Sequence, residues 1–327
     1  MIYFITYPDS ERHWQGMYND AVTGELAAQG LPCQKIVVDF FSPGCPAVLR
    51  DIQFINSTSG DISLFSWAQN PVIEIVEQKP GRKFGHVHGL GCFVFEPSVL
   101  LGVDLNEDTR FGYYDRIFLN SDWSYQNATL AYPRHRHRFV ITGFPMDYTK
   151  LDPYKGVRKD ENLVVFNQRF ALERNPTLVV ELARLLTREG YRVMHLSGES
   201  AEMVASRYPD LGRLLRAGRR AGLEFAYNPT KDEYHKRLAA ASVVITTSLC
   251  DNLPVAMLEA IHLSVVPVAP RAFCFPEFVH PDNLYAPYLL DEIVQIVRAA
   301  PQREHRIAQY SKEVVIQKYV QAFNRNV

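Results

Sequence analysis

The chain has 327 residues, 47% of them hydrophobic and 22% charged, which excludes a disordered or low-complexity protein and leaves room for two folded domains. Its 35 basic and 36 acidic side chains nearly cancel, so no global field advertises nucleic acid or a polyacidic partner, and a charged partner has to be met by a local patch. Cys33, Cys45, Cys92, Cys250 and Cys274 contain no C-x-x-C pair and fit a reducing, cytoplasmic setting, and neither a signal peptide nor a membrane span is expected.

The first half opens as a βαβ unit: Ile2–Thr6 is β-rich, a helical pattern runs from Trp14 to Gly30, and Lys35–Val38 is strand-like again. Further strands are expected at Ile62–Phe65, Phe84–His88, Arg116–Asn120 and Phe139–Ile141, with a helix after Asp122. His86 and His88, two apart on a strand, point to one face. That is metal-ligand geometry, but no nearby carboxylate or cysteine completes a set, and no metal is expected. Arg134-His135-Arg136-His137-Arg138 is a basic run that reads as a solvated loop or as a phosphate contact. Met146 to Glu161, with three lysines and little apolar content, reads as a linker and sets a boundary near residue 150.

The second half alternates more cleanly. Leu163–Phe166 is a strand, Asn175-Pro176 an N-cap and first-turn pair, and Leu178, Leu182, Leu185 and Leu186 form a helical stripe ended by Gly190. Strands at Val193–Leu196, Leu223–Tyr227, Val243–Thr246 and Val265–Val268 alternate with helices after Thr230, after Pro254 and near the C-terminus, and Arg216 to Arg220 reads as an exposed helix face. This alternation predicts parallel α/β sheets covered on both faces, two of them at this length, with ligands beyond the carboxyl ends of the strands.

Two loops at such strand ends carry chemistry. After Phe166, Arg169 and Arg174 stand five apart just before a helix; guanidinium forks and helix N-termini favour phosphate oxygens, although taken alone the arginines read first as surface residues pairing with Glu173 or Glu181. After Thr246, the polar stretch Asp251-Asn252-Leu253-Pro254-Val255 runs into a helix, so that backbone amides at residues 253 to 256 face the strand ends and suit a diphosphate. Taken singly, Asp251 reads as a helix cap and Glu259 as an exposed helix glutamate.

Together, these pairs in this order resemble the C-terminal half of retaining GT-B glycosyltransferases of family 4, with Asp251 in place of the first glutamate of an E-x7-E motif and Arg174 in place of a lysine. Asn167-Gln168-Arg169, Arg174-Asn175-Pro176, Val255 to Ala260, Cys274-Phe275-Pro276-Glu277 and Leu284-Tyr285 are similar to the queuosine-tRNA mannosyltransferase branch, a likeness running from about Leu163 to Tyr285. In the first half, His88, Asp115 to Ser121 and Gly143-Phe144-Pro145 are similar to the same family. There His88-Gly89-Leu90-Gly91 departs from the branch's H-E-N-Q, and Pro8-Asp9-Ser10 before His13 departs from its glycine pair.

The resemblance implies a GT-B architecture of two Rossmann-like α/β domains facing a central cleft. Residues 1–150 would bind the acceptor and residues 151–327 the nucleotide sugar, a final helix near Arg303 to Asn324 packing back on the first domain. It implies retaining transfer of a sugar from a UDP- or GDP-sugar to a hydroxyl, with no obligatory metal or cofactor. Arg169, Arg174 and the Asn252-Leu253-Pro254-Val255 amides would hold the diphosphate, Glu259 the ribose, and Asp251 and His88 the sugar. The expected acceptor is a hydroxyl on a modified nucleobase, in tRNA or hydroxymethylated DNA, with Lys83, Arg134, Arg136 and Arg138 as its phosphate patch. The alternatives are a small-molecule or polysaccharide acceptor, or a protein that binds nucleotide sugar without transfer.

Overall fold

In the computed structural model the chain forms two α/β units, Met1–Asp147 with Ala308–Val327, and Tyr148–Ile307. The structure describes residues 1–8, 14–38, 49, 50, 52, 57–93, 105–287 and 289–324. Asp9, Ser10 and His13 of the first loop lie outside them.

The first unit carries β1 (Ile2–Thr6), β2 (Cys33–Val37), β3 (Ile62–Phe65), β4 (Arg82–Val87), β5 (Arg116–Leu119) and β6 (Phe139–Ile141), joined in the order β2-β1-β3-β4-β5-β6 with every pair parallel. Its helices include α1 (Trp14–Ala28), the short α2 (Val72–Val76) and α3 (Glu107–Arg110), and α4 (Asp122–Ala131), which starts where the Ser121 side chain accepts from the Ser124 amide. All four residues of β3 are buried, as a central parallel strand covered on both faces requires.

The second unit is built from β7 (Asp160–Phe166), β8 (Arg192–Ser197), β9 (Leu223–Tyr227), β10 (Ala241–Ile245), β11 (Val266–Pro270) and β12 (Leu284–Tyr285). These alternate with α5 (Pro176–Arg188), α6 (Ala201–Arg207), α7 (Pro209–Arg220), α8 (Lys231–Ala240), α9 (Val255–His262) and α10 (Leu290–Ala299). The strand order is β12-β11-β10-β7-β8-β9, again all parallel, with an apolar core that includes Val164 and Phe166 of β7, Leu182 and Leu186 of α5, and Val243 and Ile245 of β10. Chain direction across the sheet reverses between β7 and β10, which makes the carboxyl ends of those two strands the crevice of a doubly wound fold.

The segment read as a linker is docked onto the second unit. Leu151 is buried, Tyr148 stacks on His262 with ring centroids 4.7 Å apart, and Tyr154 donates to Asp232 at 2.9 Å. The last helix, α11 (Lys312–Asn324), starts later than the sequence suggested, because Ala300 turns left-handed at φ 36° before Pro301 and the chain then runs non-helically past Phe278. It packs in the first unit, where Tyr319 stacks on Phe118 at 4.2 Å and its hydroxyl lies 3.1 Å from that of Tyr18. Gly143, at φ 90°, lets the chain pass the Tyr310 ring, where a Cβ would sit 3.0 Å away. Among the described residues no helix is long and apolar enough to cross a membrane.

Candidate functional site

The loops after β7 and β10, side by side at the switch point, are fastened by one amide. Gln168 donates to Thr247 Oγ1 at 2.7 Å and to the Arg174 carbonyl at 3.1 Å, and its oxygen accepts from Thr246 Oγ1 at 2.9 Å and from the Thr247 amide at 3.2 Å. Asn167 reaches the Ala256 carbonyl at 2.7 Å, and the Leu249 amide donates to Glu173 O at 2.9 Å. Asn175 takes the left-handed conformation at φ 47° and caps α5 through the Leu178 amide, with Pro176 in the first turn.

The two arginines separate. Arg169 is exposed and forms an ion pair with the buried Glu173 at 2.7 Å. Arg174 is turned inward, where it pairs with Asp251, donates to Ser248 Oγ and approaches the Cys250 carbonyl at 3.4 Å. Ser248 in turn lies 3.1 Å from the same Asp251 oxygen. Asp251 is thus the counter-ion of Arg174 and not a helix cap.

The expected row of four amides is shorter in fact. Pro254 has no N–H, and the Leu253 amide is taken by Asn252 Oδ1 at 2.9 Å. The Val255 and Ala256 amides, opening α9, have no hydrogen-bond partner among the described residues, and the buried Asn252 Nδ2 has none either. These are orphan donors of a kind that an anion or a hydroxyl satisfies.

Glu259 is fully buried, contrary to its reading as an exposed glutamate. Its carboxylate accepts from Lys231 at 3.2 Å, Tyr234 at 2.9 Å and His235 at 3.3 Å. Burial pushes this carboxyl up, but the Lys231 charge and the His235 and Tyr234 hydrogen bonds together outweigh it and hold the pKa at about 2. Sequence reasoning missed Gln168, Ser248 and this trio. A signal existed for the trio, since residues 231, 234 and 235 fall on one face of the helix after Thr230.

In the first unit, His86 is saturated: Nε2 donates to Asn120 Oδ1 at 2.5 Å and Nδ1 faces the hydroxyls of Tyr18 and Tyr319. Its ring stacks on His88 at 4.5 Å, and His88 donates from Nε2 to the Ser66 carbonyl at 2.6 Å. Burial, and then the neighbouring His86 ring, which disfavours a second positive charge, hold the His88 pKa well below the usual histidine range, so the ring is neutral near neutral pH. The following loop is braced by the buried Glu107, which accepts from the Gly91 amide at 2.9 Å and from Gln69 at 2.8 Å, while Gln69 also holds the Gly89 carbonyl at 2.6 Å.

The basic patch expected in this unit is largely committed elsewhere. Lys83 is buried and donates to the carbonyls of Lys79 at 2.9 Å and Gly81 at 3.4 Å. Arg134 pairs with Asp108, and Arg138 donates to the Tyr114 carbonyl. Of the four cations, Arg136 alone keeps an exposed side chain with no ion pair among the described residues.

No family model matches the chain. Over 176 residues it is 25% identical to the tRNA-queuosine alpha-mannosyltransferase of Drosophila melanogaster, a match that takes in 50% of this chain and 46% of that protein. The chain therefore spans about half the length of the curated relative it matches. Sucrose-phosphate synthase from Thermosynechococcus elongatus superposes with a TM-score of 0.75 at 13% identity over 98% of both chains. HepE of Anabaena, solved with UDP and glucose, gives 0.66 at 12% identity over 99% of both. TarM of S. aureus, solved with fondaparinux, alpha-GlcNAc-glycerol and UDP, gives 0.67 at 15% identity over 85% of this chain and 59% of TarM. The fold is GT-B, two parallel-sheet α/β domains of six strands each. The structural neighbours and the curated relative are glycosyltransferases.

Proposed function

We propose that the protein is a retaining glycosyltransferase that moves a sugar from a UDP- or GDP-sugar to a hydroxyl on a modified nucleobase of nucleic acid. The observation that carries the donor half is the placement of Arg174 and of the Val255 and Ala256 amides, which have no partner among the described residues, at the β7–β10 switch point, where a diphosphate would be met by a guanidinium fork and a helix N-terminus. Negative charge grows on that diphosphate as the sugar departs, so donors held in place before the reaction stabilise the transition state more than the ground state. Arg169 adds a second fork from the surface, and Asn252 Nδ2 a further donor.

Donor binding then has a defined electrostatic consequence. The diphosphate takes over Arg174 from Asp251, which frees that carboxylate to accept from sugar hydroxyls. Glu259 accepts from the ribose once Lys231 swings aside, and its low pKa keeps it an acceptor. The nucleic-acid acceptor is supported by the likeness to the tRNA enzyme.

The test is a donor panel with purified protein, reading free nucleotide and label transfer to tRNA, to hydroxymethylated DNA and to saccharide extracts. Arg169→Ala and Arg174→Ala should each lower turnover by about two orders of magnitude or more with the fold intact. Near-normal turnover in both removes the diphosphate assignment, and label entering only saccharides removes the nucleic-acid acceptor.

A further inference from the structure

A cavity of about 540 Å³ opens in the second unit between the C-terminal turns of α5 and α7, lined by Arg184, Arg188, Arg219 and Arg220 together with Thr187 and Gly222. Among the described residues no acidic side chain lines it. Arg184 pairs with Glu181 at 2.6 Å, whereas Arg188, Arg219 and Arg220 form no ion pair among the described residues. The acid beside Arg188 is engaged elsewhere, since Glu189 forms a two-point pair with Arg298, one bond at 2.7 Å. The exposed Glu202 is felt electrostatically by Arg219.

Basic residues at helix C-termini often need no ligand, because they offset the helix dipole, so the charges have to be weighed. Two helix ends bring about half a negative charge each, Glu181 one more and the exposed, solvent-screened Glu202 up to one, which leaves the four guanidiniums an excess of about one to two positive charges. Four exposed forks around a cavity of this size suit several phosphate groups in succession better than one.

The groove's place in the fold narrows the occupant. Arg188 precedes β8 and Gly222 precedes β9, so the groove lies at the amino ends of a parallel sheet whose carboxyl ends carry the donor loops. A six-residue strand such as β8 spans about 20 Å. A small acceptor reacting at the donor loops cannot touch the groove, whereas a polymer with a phosphate at every residue can.

We propose that this arginine groove docks the phosphodiester backbone of an RNA acceptor, away from the reacting base. The inference rests on the nucleic-acid reading of the acceptor and supplies the local patch that the committed cations of the first unit do not. It predicts that the enzyme holds its acceptor at two separated places, one chemical and one electrostatic.

The experiment titrates the protein into a fluorescein-labelled tRNA transcript and reads anisotropy between 50 and 200 mM salt, an interval over which binding to phosphates weakens steeply as counterions compete. Arg188→Glu with Arg219→Glu should raise Kd about 10- to 100-fold and reduce the slope of log K against log salt by about two. Arg188→Gln with Arg219→Gln should do the same more weakly, and a melting curve reports whether either pair is folded. The thermal shift given by UDP or GDP should be unchanged in both.

An unchanged Kd and slope in the folded Gln pair, or no tRNA binding by the parent protein, overturns the proposal. Equal displacement of tRNA by inorganic phosphate at the same phosphate concentration also overturns it in favour of a small-anion site. Loss of donor binding in the parent protein, with arginine-dependent tRNA binding intact, would instead refute the glycosyl-transfer reading and leave the groove standing.

Discussion

The Arg174–Asp251 pair makes a prediction that separates structure from chemistry. Arg174 is 19% exposed and Asp251 7%, so replacing Arg174 by methionine leaves a nearly buried carboxylate whose described partner is Ser248 at 3.1 Å. Removing one member of a buried pair costs about 3–5 kcal/mol, and water access at Arg174 together with the surviving hydrogen bond places this case at about 3 kcal/mol. For a domain of this size that is a fall of about 6–12 °C in melting temperature. Adding Asp251→Asn removes the orphaned charge but keeps a group that can bond Ser248, so the double variant should regain about 2 kcal/mol over Arg174→Met. Turnover should stay about 100-fold down in both, because the guanidinium is missing either way. Urea denaturation followed by circular dichroism, with nucleotide release from the donor measured on the same preparations, reads the two quantities. A double variant no more stable than the single one would refute this account of the pair. So would turnover that returns with stability, which would make Arg174 a structural residue alone.

Glu259, held at about 2 against an ordinary value of 4.5, contributes stability that is complete above pH 4.5 and is lost as pH falls toward 2; Glu259→Gln should flatten that loss in acid denaturation curves. His195, fully buried against Phe166, Phe170 and Phe225 with neither ring nitrogen hydrogen-bonded among the described residues, is pushed down to about 3 by burial. Because the unfolded chain binds its proton first, stability is lost as pH falls below 6.5, and His195→Phe should abolish this part of the pH dependence while leaving stability at pH 8 equal or up to about 2 kcal/mol higher. Gly222→Ala forces a left-handed residue, φ 94°, and puts a Cβ 2.5 Å from Thr187 Oγ1, so unfolding in urea should show a loss of about 1–3 kcal/mol.

The alternation of strand and helix was legible from periodicity because parallel strands covered on both faces are apolar throughout, and eleven of the twelve strands among the described residues fall within two or three residues of their expected places. The exception, β12 at Leu284–Tyr285, is two residues long and too short to carry a period. The two loops were legible because polar residues gather where a strand hands over to a helix. Which side chains meet was not. Arg174 and Asp251 stand 77 residues apart and come together only because β10 docks beside β7, a neighbour relation that no local spacing encodes. Charge alone likewise misplaced Lys83: the sequence shows an ammonium, but the strand that carries it turns the group onto the carbonyls of Lys79 and Gly81.

The same distinction bears on the proposed reaction. A carboxylate that neutralises a buried guanidinium and one that binds sugar hydroxyls look like rival roles for Asp251, yet they are mutually exclusive only at one moment. Without a donor, Arg174 would be a largely buried cation if Asp251 left it, and Glu259 would be a buried anion without Lys231; each pair removes that cost. In the proposed reaction a diphosphate would supply Arg174 with an anion, and the ribose hydroxyls would supply Glu259 with donors. Both internal partners can then be released without leaving a bare charge, which gives the site a reason to reorganise when a whole nucleotide sugar arrives and less reason to do so for a free sugar.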